Sequence, residues 1–232
     1  MIGVFDSGVG GLAAYAELRR MLPREDIVYL ADRENAPYGT KSKDVLTELV
    51  IADVERLVGL GARRVLIACC TASTVHEKLP EHLQRVSVPI ISYAADAVLT
   101  DRVCVIATDA TVNSHAFRDE ILLRNPHALV TEIATQELVS LVEHPESLTV
   151  AEREGLLDHT ATRIADCAPR ELILGCTHFS HIRGALADRL PSVRIIDTAR
   201  IAARRMAEDI INEEIKAPPD SKTRGRGRSI YT

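Results

Sequence analysis

Short apolar runs rich in β-branched residues alternate with longer amphipathic segments along this chain, the pattern of βαβ units built around parallel sheets. Ile2-Gly3-Val4-Phe5 reads as a first strand and Gly11 to Met21 as its helix. Ile27-Val28-Tyr29-Leu30 follows, then a loop through Pro37-Tyr38-Gly39 and a helix from Ser42 to Leu60. Val65 to Ala68 predicts a third strand and Val88-Pro89-Ile90-Ile91 a fourth. The second half repeats this order. Arg102 to Ile106, Leu129 to Ile133, Leu172 to Leu174 and Val193 to Ile196 each lie about one hundred residues beyond their counterparts. Element order alone carries the duplication, because identity between the halves is negligible. It predicts an α/β fold of two pseudo-symmetric doubly wound domains with mainly parallel sheets and an active site in the cleft between them. Residues 1–94 with 200–232 form the first domain and 95–199 the second. A single larger sheet fits the same run of elements. Helical patterning continues from Thr198 to Ile215. Ala217-Pro218-Pro219-Asp220 breaks it, and the Gly/Arg-rich stretch Lys222 to Arg228 reads as a solvated terminus.

Composition narrows the class. At 232 residues, 46% hydrophobic and 26% charged, the chain can bury one large core or two small ones. Aromatics are only 3%, tryptophan is absent and the formal charge is -5, so neither a base-stacking platform nor a broad nucleic-acid surface is expected. No apolar run approaches the roughly 20 residues of a membrane helix. The five cysteines form no spaced pairs, and no basic-then-apolar leader precedes Asp6. Free thiols in a cytoplasmic protein are the expectation.

Chemistry concentrates at strand ends. Ala68-Cys69-Cys70-Thr71-Ala72 and Gly175-Cys176-Thr177-His178 each follow a buried-type strand, one in each half. The carboxyl ends of parallel strands are where open α/β sheets bind ligands. Two cysteines facing one cleft would suit inversion at an acidic C–H centre, with a base on one side and an acid on the other. Asp6-Ser7-Gly8-Val9-Gly10-Gly11 joins the first strand to a helix whose N–H groups can receive an anion. Gly8-x-Gly10-x-x-Ala13, with Asp32 after the second strand, also fits a dinucleotide fingerprint. A glycine-rich turn with no ligand fits equally. Cys176-x-His178-x-x-His181 lacks a fourth zinc ligand. No lysine sits in a pocket motif, so a pyridoxal Schiff base is not supported. Cys104 and Cys167 read as small hydrophobes, and Glu143 and Asp197 as helix-end or interdomain polar residues.

Taken together, Ile2-Gly3-Val4-Phe5-Asp6-Ser7-Gly8-Val9-Gly10-Gly11-Leu12, Asp32…Ala36-Pro37-Tyr38-Gly39, Ala68-Cys69-x-Thr71-Ala72 and Leu174-Gly175-Cys176-Thr177-His178 resemble the glutamate racemases of the aspartate/glutamate racemase group. The likeness extends through Ala107-Thr108…Thr111-Val112-x-Ser114, Leu141-Val142-Glu143 and Ile196-Asp197, and covers nearly the whole chain. The resemblance implies two α/β domains and a cofactor-independent, metal-free isomerase that interconverts L- and D-glutamate for peptidoglycan synthesis and so bears on cell shape. It implies a homodimer acting on a small molecule, with no nucleic-acid or membrane partner. Cys69 and Cys176 would be the two catalytic bases, assisted by Asp6 and His178. Asp6, Ser7, Pro37, Tyr38, Gly39, Cys70, Thr71, Thr177 and His178 would meet the substrate, Thr111 its side-chain carboxylate. The glycine-rich turn would then serve an amino acid, not a nucleotide.

One position departs from that family. Cys70 stands where the family carries asparagine, and a thiol is a poor donor where an amide is a good one. Phe179-Ser180 replaces the usual Tyr-Pro, a milder change. A racemase for aspartate or another small acidic amino acid, and a catalytically weak paralogue that binds an amino acid, are therefore the alternatives. Restoring the amide with Cys70→Asn is expected to raise kcat/KM for glutamate about tenfold or more, since a hydrogen bond to a charged group contributes about 1.5–3 kcal/mol. An unchanged or lower rate would mean that the pocket is built around the thiol.

Overall fold

The computed structural model describes residues 1–216; the break at 217–220 and the Gly/Arg-rich stretch lie outside the described residues. The chain divides into two compact units. Unit 1 comprises Met1–Ile90 with the segment from Ala199 onward, and unit 2 comprises Ile91–Thr198.

In unit 1, β1 (Ile2–Asp6), α1 (Leu12–Met21), β2 (Ile27–Ala31), α2 (Lys43–Gly59), β3 (Arg64–Ile67), α3 (Cys70–Ser73), α4 (Glu81–Gln84) and β4 (Ser87–Pro89) follow in order. The strands form one parallel sheet in the order β2-β1-β3-β4. All five residues of β1 are buried, as expected of a strand covered on both faces. Val50, Val54 and Leu57 of α2 pack with Phe5, Val28, Leu30, Val65 and Ile67 into one core. Ser42 caps α2 by accepting from the Val45 N–H.

After α5 (Ile90–Asp96), unit 2 runs through β5 (Arg102–Ala107), α6 (Asp109–Ser114), α7 (Ala116–Arg124), β6 (Leu129–Ala134), α8 (Gln136–Glu143), α9 (Val150–Asp166), β7 (Glu171–Gly175), α10 (Arg183–Arg189) and β8 (Arg194–Asp197). Its sheet is again parallel, in the order β6-β5-β7-β8. Cys104, Ile106, Leu172, Leu174, Leu157 and Ile164 form its core, and α9 starts from a capping box between Thr149 and Glu152. The final helix, α11 (Thr198–Lys216), continues into unit 1 and buries Ala202, Ala203, Met206 and Ala207.

The two four-stranded sheets of identical order rule out one larger sheet. In both, strand order reverses beside the first strand, between β1 and β3 and between β5 and β7. Such a switch point leaves a crevice at the carboxyl ends of the strands. The fourth strand is shorter than its apolar run suggests. It stops at Pro89, and Ile90-Ile91 open α5, because periodicity cannot divide a short apolar run between strand and helix. The loop at Pro37-Tyr38-Gly39 closes as a 3-10 turn over Tyr38–Thr40.

One fully buried carboxylate ties unit 2 together. Glu171, 0% exposed at the start of β7, accepts from the Leu99 N–H (3.0 Å), the Thr100 N–H (2.9 Å) and the Thr100 hydroxyl (2.9 Å), and pairs with Arg194. Deleting it leaves three donors without their acceptor. Glu171→Ala is expected to cost about 3 kcal/mol of stability, read by urea denaturation.

Candidate active site

Each unit builds a cluster of candidate residues at its switch point. In unit 1, β1 ends on Asp6, and the Ala68 N–H donates to the Phe5 carbonyl (2.7 Å), so Cys69 emerges beside Asp6. Asp6 is fully buried and accepts from the Gly8 N–H (2.8 Å). A Cβ at Gly11 would stand 2.7 Å from the Asp6 Cβ, so only glycine lets the turn close over that carboxylate. Tyr29 holds the same turn by donating its hydroxyl to the Gly8 carbonyl (2.7 Å). Its phenol is pushed up by burial first, then by the charges of Asp6 and Cys69.

Cys69 caps α3. Its Sγ lies 3.5 Å from the Ala72 N–H donor and 3.5 Å from the Ser7 Oγ. Burial pushes the thiol up to about 11, and the Asp6 charge pushes the same way against the pull of Ser7 and the Ala72 N–H. At neutral pH Cys69 is therefore a thiol, 6% exposed. Cys70 and Thr71, in the first turn of α3, are also buried.

The turn carrying Pro37, Tyr38 and Gly39 packs against α3. Pro37 is exposed and Gly39 half-buried, but Tyr38 is sealed at 2% exposure. Its hydroxyl stands 2.6 Å from Asp32 Oδ2 and 3.0 Å from Asp53 Oδ2. Any contact of Tyr38 with a ligand thus falls to its main chain. Asp32, which the dinucleotide fingerprint would assign to a ribose, is engaged by Tyr38 and by the Asn35 amide (3.1 Å).

In unit 2, β7 delivers Gly175 and Cys176 to the strand edge. A Cβ on Gly175 would meet the Ile106 carbonyl at 2.9 Å and Phe117 Cε2 at 3.0 Å, so this position too is closed to a side chain. Cys176 Sγ lies 3.5 Å from His178 Nδ1, within the 3-10 turn Thr177–His181. His178 Nε2 is 2.9 Å from Glu143 Oε1 at the end of α8, off the ring N–H direction and so a close charge contact, not an aligned hydrogen bond. Thiol, imidazole and carboxylate thus stand in a row, the order in which a base is oriented and its cation stabilised. Thr177 is buried beside them. Thr111 is fully buried, and its hydroxyl bonds that of Thr108, the cap of α6 (2.9 Å). The hydroxyl of Ser180 donates to Asp197 (2.8 Å), which gives the Tyr-Pro departure a local partner.

Sequence reasoning missed three of these groups: Tyr29, Asp53, and Glu143 as the partner of His178. Glu143 had one usable signal, its place in the Leu141-Val142-Glu143 motif. Of the remaining cysteines, Cys104 is fully buried and pushed up to about 12 by burial first, while Cys167 donates to the Arg163 carbonyl (3.3 Å). None of the five cysteines is in a disulfide. Among the described residues, no group of three or more His, Cys, Asp or Glu side chains could hold a metal ion, and no helix is long and apolar enough to cross a membrane. A cavity of about 490 Å³ in unit 2, lined by Arg102, Arg118, Leu122, Leu129, Cys167 and Pro169, opens at the amino ends of β5 and β6, the opposite edge from Cys176.

Known proteins agree with this architecture. A family profile described as Asp/Glu/Hydantoin racemase matches residues 2–206. A glutamate racemase of Thermus thermophilus is 35% identical over 237 residues, covering 99% of this chain and 85% of that protein. One from Neisseria gonorrhoeae is 34% identical over 227 residues, covering 91% and 80%. The crystal structure of the Francisella tularensis glutamate racemase in complex with D-glutamate superposes with a TM-score of 0.86 at 29% identity, covering 100% of this chain and 87% of that one.

The cluster around Cys69 predicts a measurable thiol. Cys69 alkylation, followed by peptide mass mapping, should keep rising with pH toward a midpoint near 11. Asp6→Asn removes the neighbouring charge and is expected to move that midpoint down. An unmoved midpoint would leave burial as the only cause.

Proposed function

Because the chain belongs to the Asp/Glu/hydantoin racemase family and is an amino-acid racemase, we propose that it interconverts L- and D-glutamate without a cofactor, using Cys69 and Cys176 as a pair of bases on one α-carbon. One sulfur, as thiolate, removes the α-proton and becomes a thiol. The electron pair left behind passes into the α-carboxylate, and the second sulfur, starting as thiol, delivers its proton to the opposite face. Reversal of direction exchanges the roles. Asp6 and His178 hold or move the proton at their respective sulfurs. Ser7, Thr71, Thr177 and the backbone of Tyr38 and Gly39 supply neutral donors to the carboxylates and acceptors to the ammonium group. Such preorganised donors favour charge that grows during C–H cleavage, where they contribute most.

The observation that carries the reading is the matched placement of Cys69 and Cys176. Each follows the central strand at its sheet's switch point, and each has a titratable neighbour: Asp6 beside Cys69, His178 beside Cys176. Glutamate as substrate is supported by the glutamate racemases that the chain resembles, and the supply of D-glutamate to peptidoglycan by a cytoplasmic homodimer is the role we propose with it. A second reading, with another small acidic amino acid as substrate or with catalysis lost, is favoured by one residue. Cys70, 3% exposed beside Cys69, has no amide to offer.

Proton exchange in D₂O separates these readings. Deuterium should enter the α-position of either enantiomer of glutamate with no added cofactor. Cys69→Ser and Cys176→Ser should each slow racemisation by about 10³-fold or more, the scale of losing a positioned acid or base. Exchange on aspartate alone would move the assignment to the second substrate class. Exchange on no acidic amino acid would leave binding without catalysis.

A further inference from the structure

The phenolic oxygen of Tyr38 sits between two carboxyl groups, 2.6 Å from Asp32 Oδ2 and 3.0 Å from Asp53 Oδ2. A phenol has one hydrogen and can donate it to only one of them. The shorter contact takes it, and Asp32, which also accepts from Asn35 at 3.1 Å, is the better anion. With that hydrogen on Asp32, two bare oxygens 3.0 Å apart repel, and the second contact becomes attractive once Asp53 carries a proton. The chain of donors then runs from Asp53 to Tyr38 to Asp32.

We propose that Asp53, a half-buried residue in the middle of α2, is a positioning residue that fixes the Pro37-Tyr38-Gly39 turn by donating its carboxylic proton to the Tyr38 oxygen. This rests on the reading of the Tyr38 and Gly39 backbone as a substrate contact. Asp53 acts through Tyr38, whose ring packs at 6.1 Å on Phe5 and whose side chain is sealed from solvent. Fixing the phenol therefore fixes the main chain that carries it.

The groups facing Asp53 agree. Burial pushes its carboxyl up to about 6, and the Asp32 charge adds to this. A hydrogen bond from Tyr38 and, after it, the Arg56 charge one turn along α2 pull the other way, and the first of these lapses when the phenolic hydrogen is on the nearer Asp32. A carboxyl raised in the folded state stabilises the fold fully below its unfolded value of about 4, and that contribution is lost as pH rises through about 6. The turn is accordingly held in acid and loosened above that point.

KM and kcat for D-glutamate, measured on the full chain between pH 5 and 8, test this. KM should rise about fivefold as pH passes 6, the worth of one neutral hydrogen bond, while kcat keeps a pH profile of its own. Asp53→Asn keeps an N–H donor toward the phenol at every pH and should flatten the KM profile at its low value. Asp53→Ala should hold KM at the high value throughout, with kcat within about twofold of the parent. A KM step near pH 6 that survives in Asp53→Asn, or an Asp53→Ala variant altered in kcat alone, overturns the proposal. A second readout needs no turnover: the ¹³C titration of the Asp53 carboxyl. Its midpoint should fall in Tyr38→Phe, which removes the acceptor of its proton, whereas a rise would show that Tyr38 donates to Asp53 and end the proposal. Absence of racemisation by the unmodified chain would instead count against the glutamate reading, and the carboxyl titration would still decide the role of Asp53.

Discussion

Parallel pairing of the first and third strands in each sheet is the constraint on which the rest of the molecule depends. Phe5 pairs with Ile67, and Ala107 with Gly175. That register sets the residue after one strand beside the residue after the other. In unit 1 it sets Asp6 level with Ala68, one residue before Cys69, and in unit 2 it sets Thr108 level with Cys176. A slip of one residue would turn every side chain of the slipped strand to the other face, and the thiol with it. The buried runs on both faces of β1, β3, β5 and β7 hold the register against such a slip.

The two clusters share a plan but differ in electrostatics. Cys69 lives beside a buried carboxylate, which favours its protonated form. Cys69 is thus set up to hold its proton. Cys176 lives beside an imidazole that is itself in contact with a carboxylate.

Much of the fold was legible because fully buried parallel strands leave uninterrupted apolar runs, and Arg102 to Ile106 or Leu172 to Leu174 are hard to mistake. The structure adds only a residue or two at their ends. The four residues of α3 and the six of α6 were not legible, since segments so short show no periodicity and owe their form to the caps at Cys69 and Thr108. The cysteines, Asp6 and His178 announced themselves through motif and strand end. Tyr29, Asp53 and Glu143 did not, for one shared reason. Each gains its partner from an element distant in sequence: the glycine turn for Tyr29, the Tyr38 turn for Asp53, His178 for Glu143. On α2 in particular, Asp53 looks like one more polar residue of a solvated face.

The passage of α11 back into unit 1 bears on how the molecule is made. Unit 2 is a single unbroken stretch, so it can assemble as soon as its last strand leaves the ribosome. Unit 1 must wait with its core incomplete, because Ala202, Ala203 and Met206, which are buried in it, are translated after everything in unit 2. The half of the chain that is born first is therefore the half that finishes last. During that interval its unfinished apolar surface is the part of the nascent protein most in need of a chaperone.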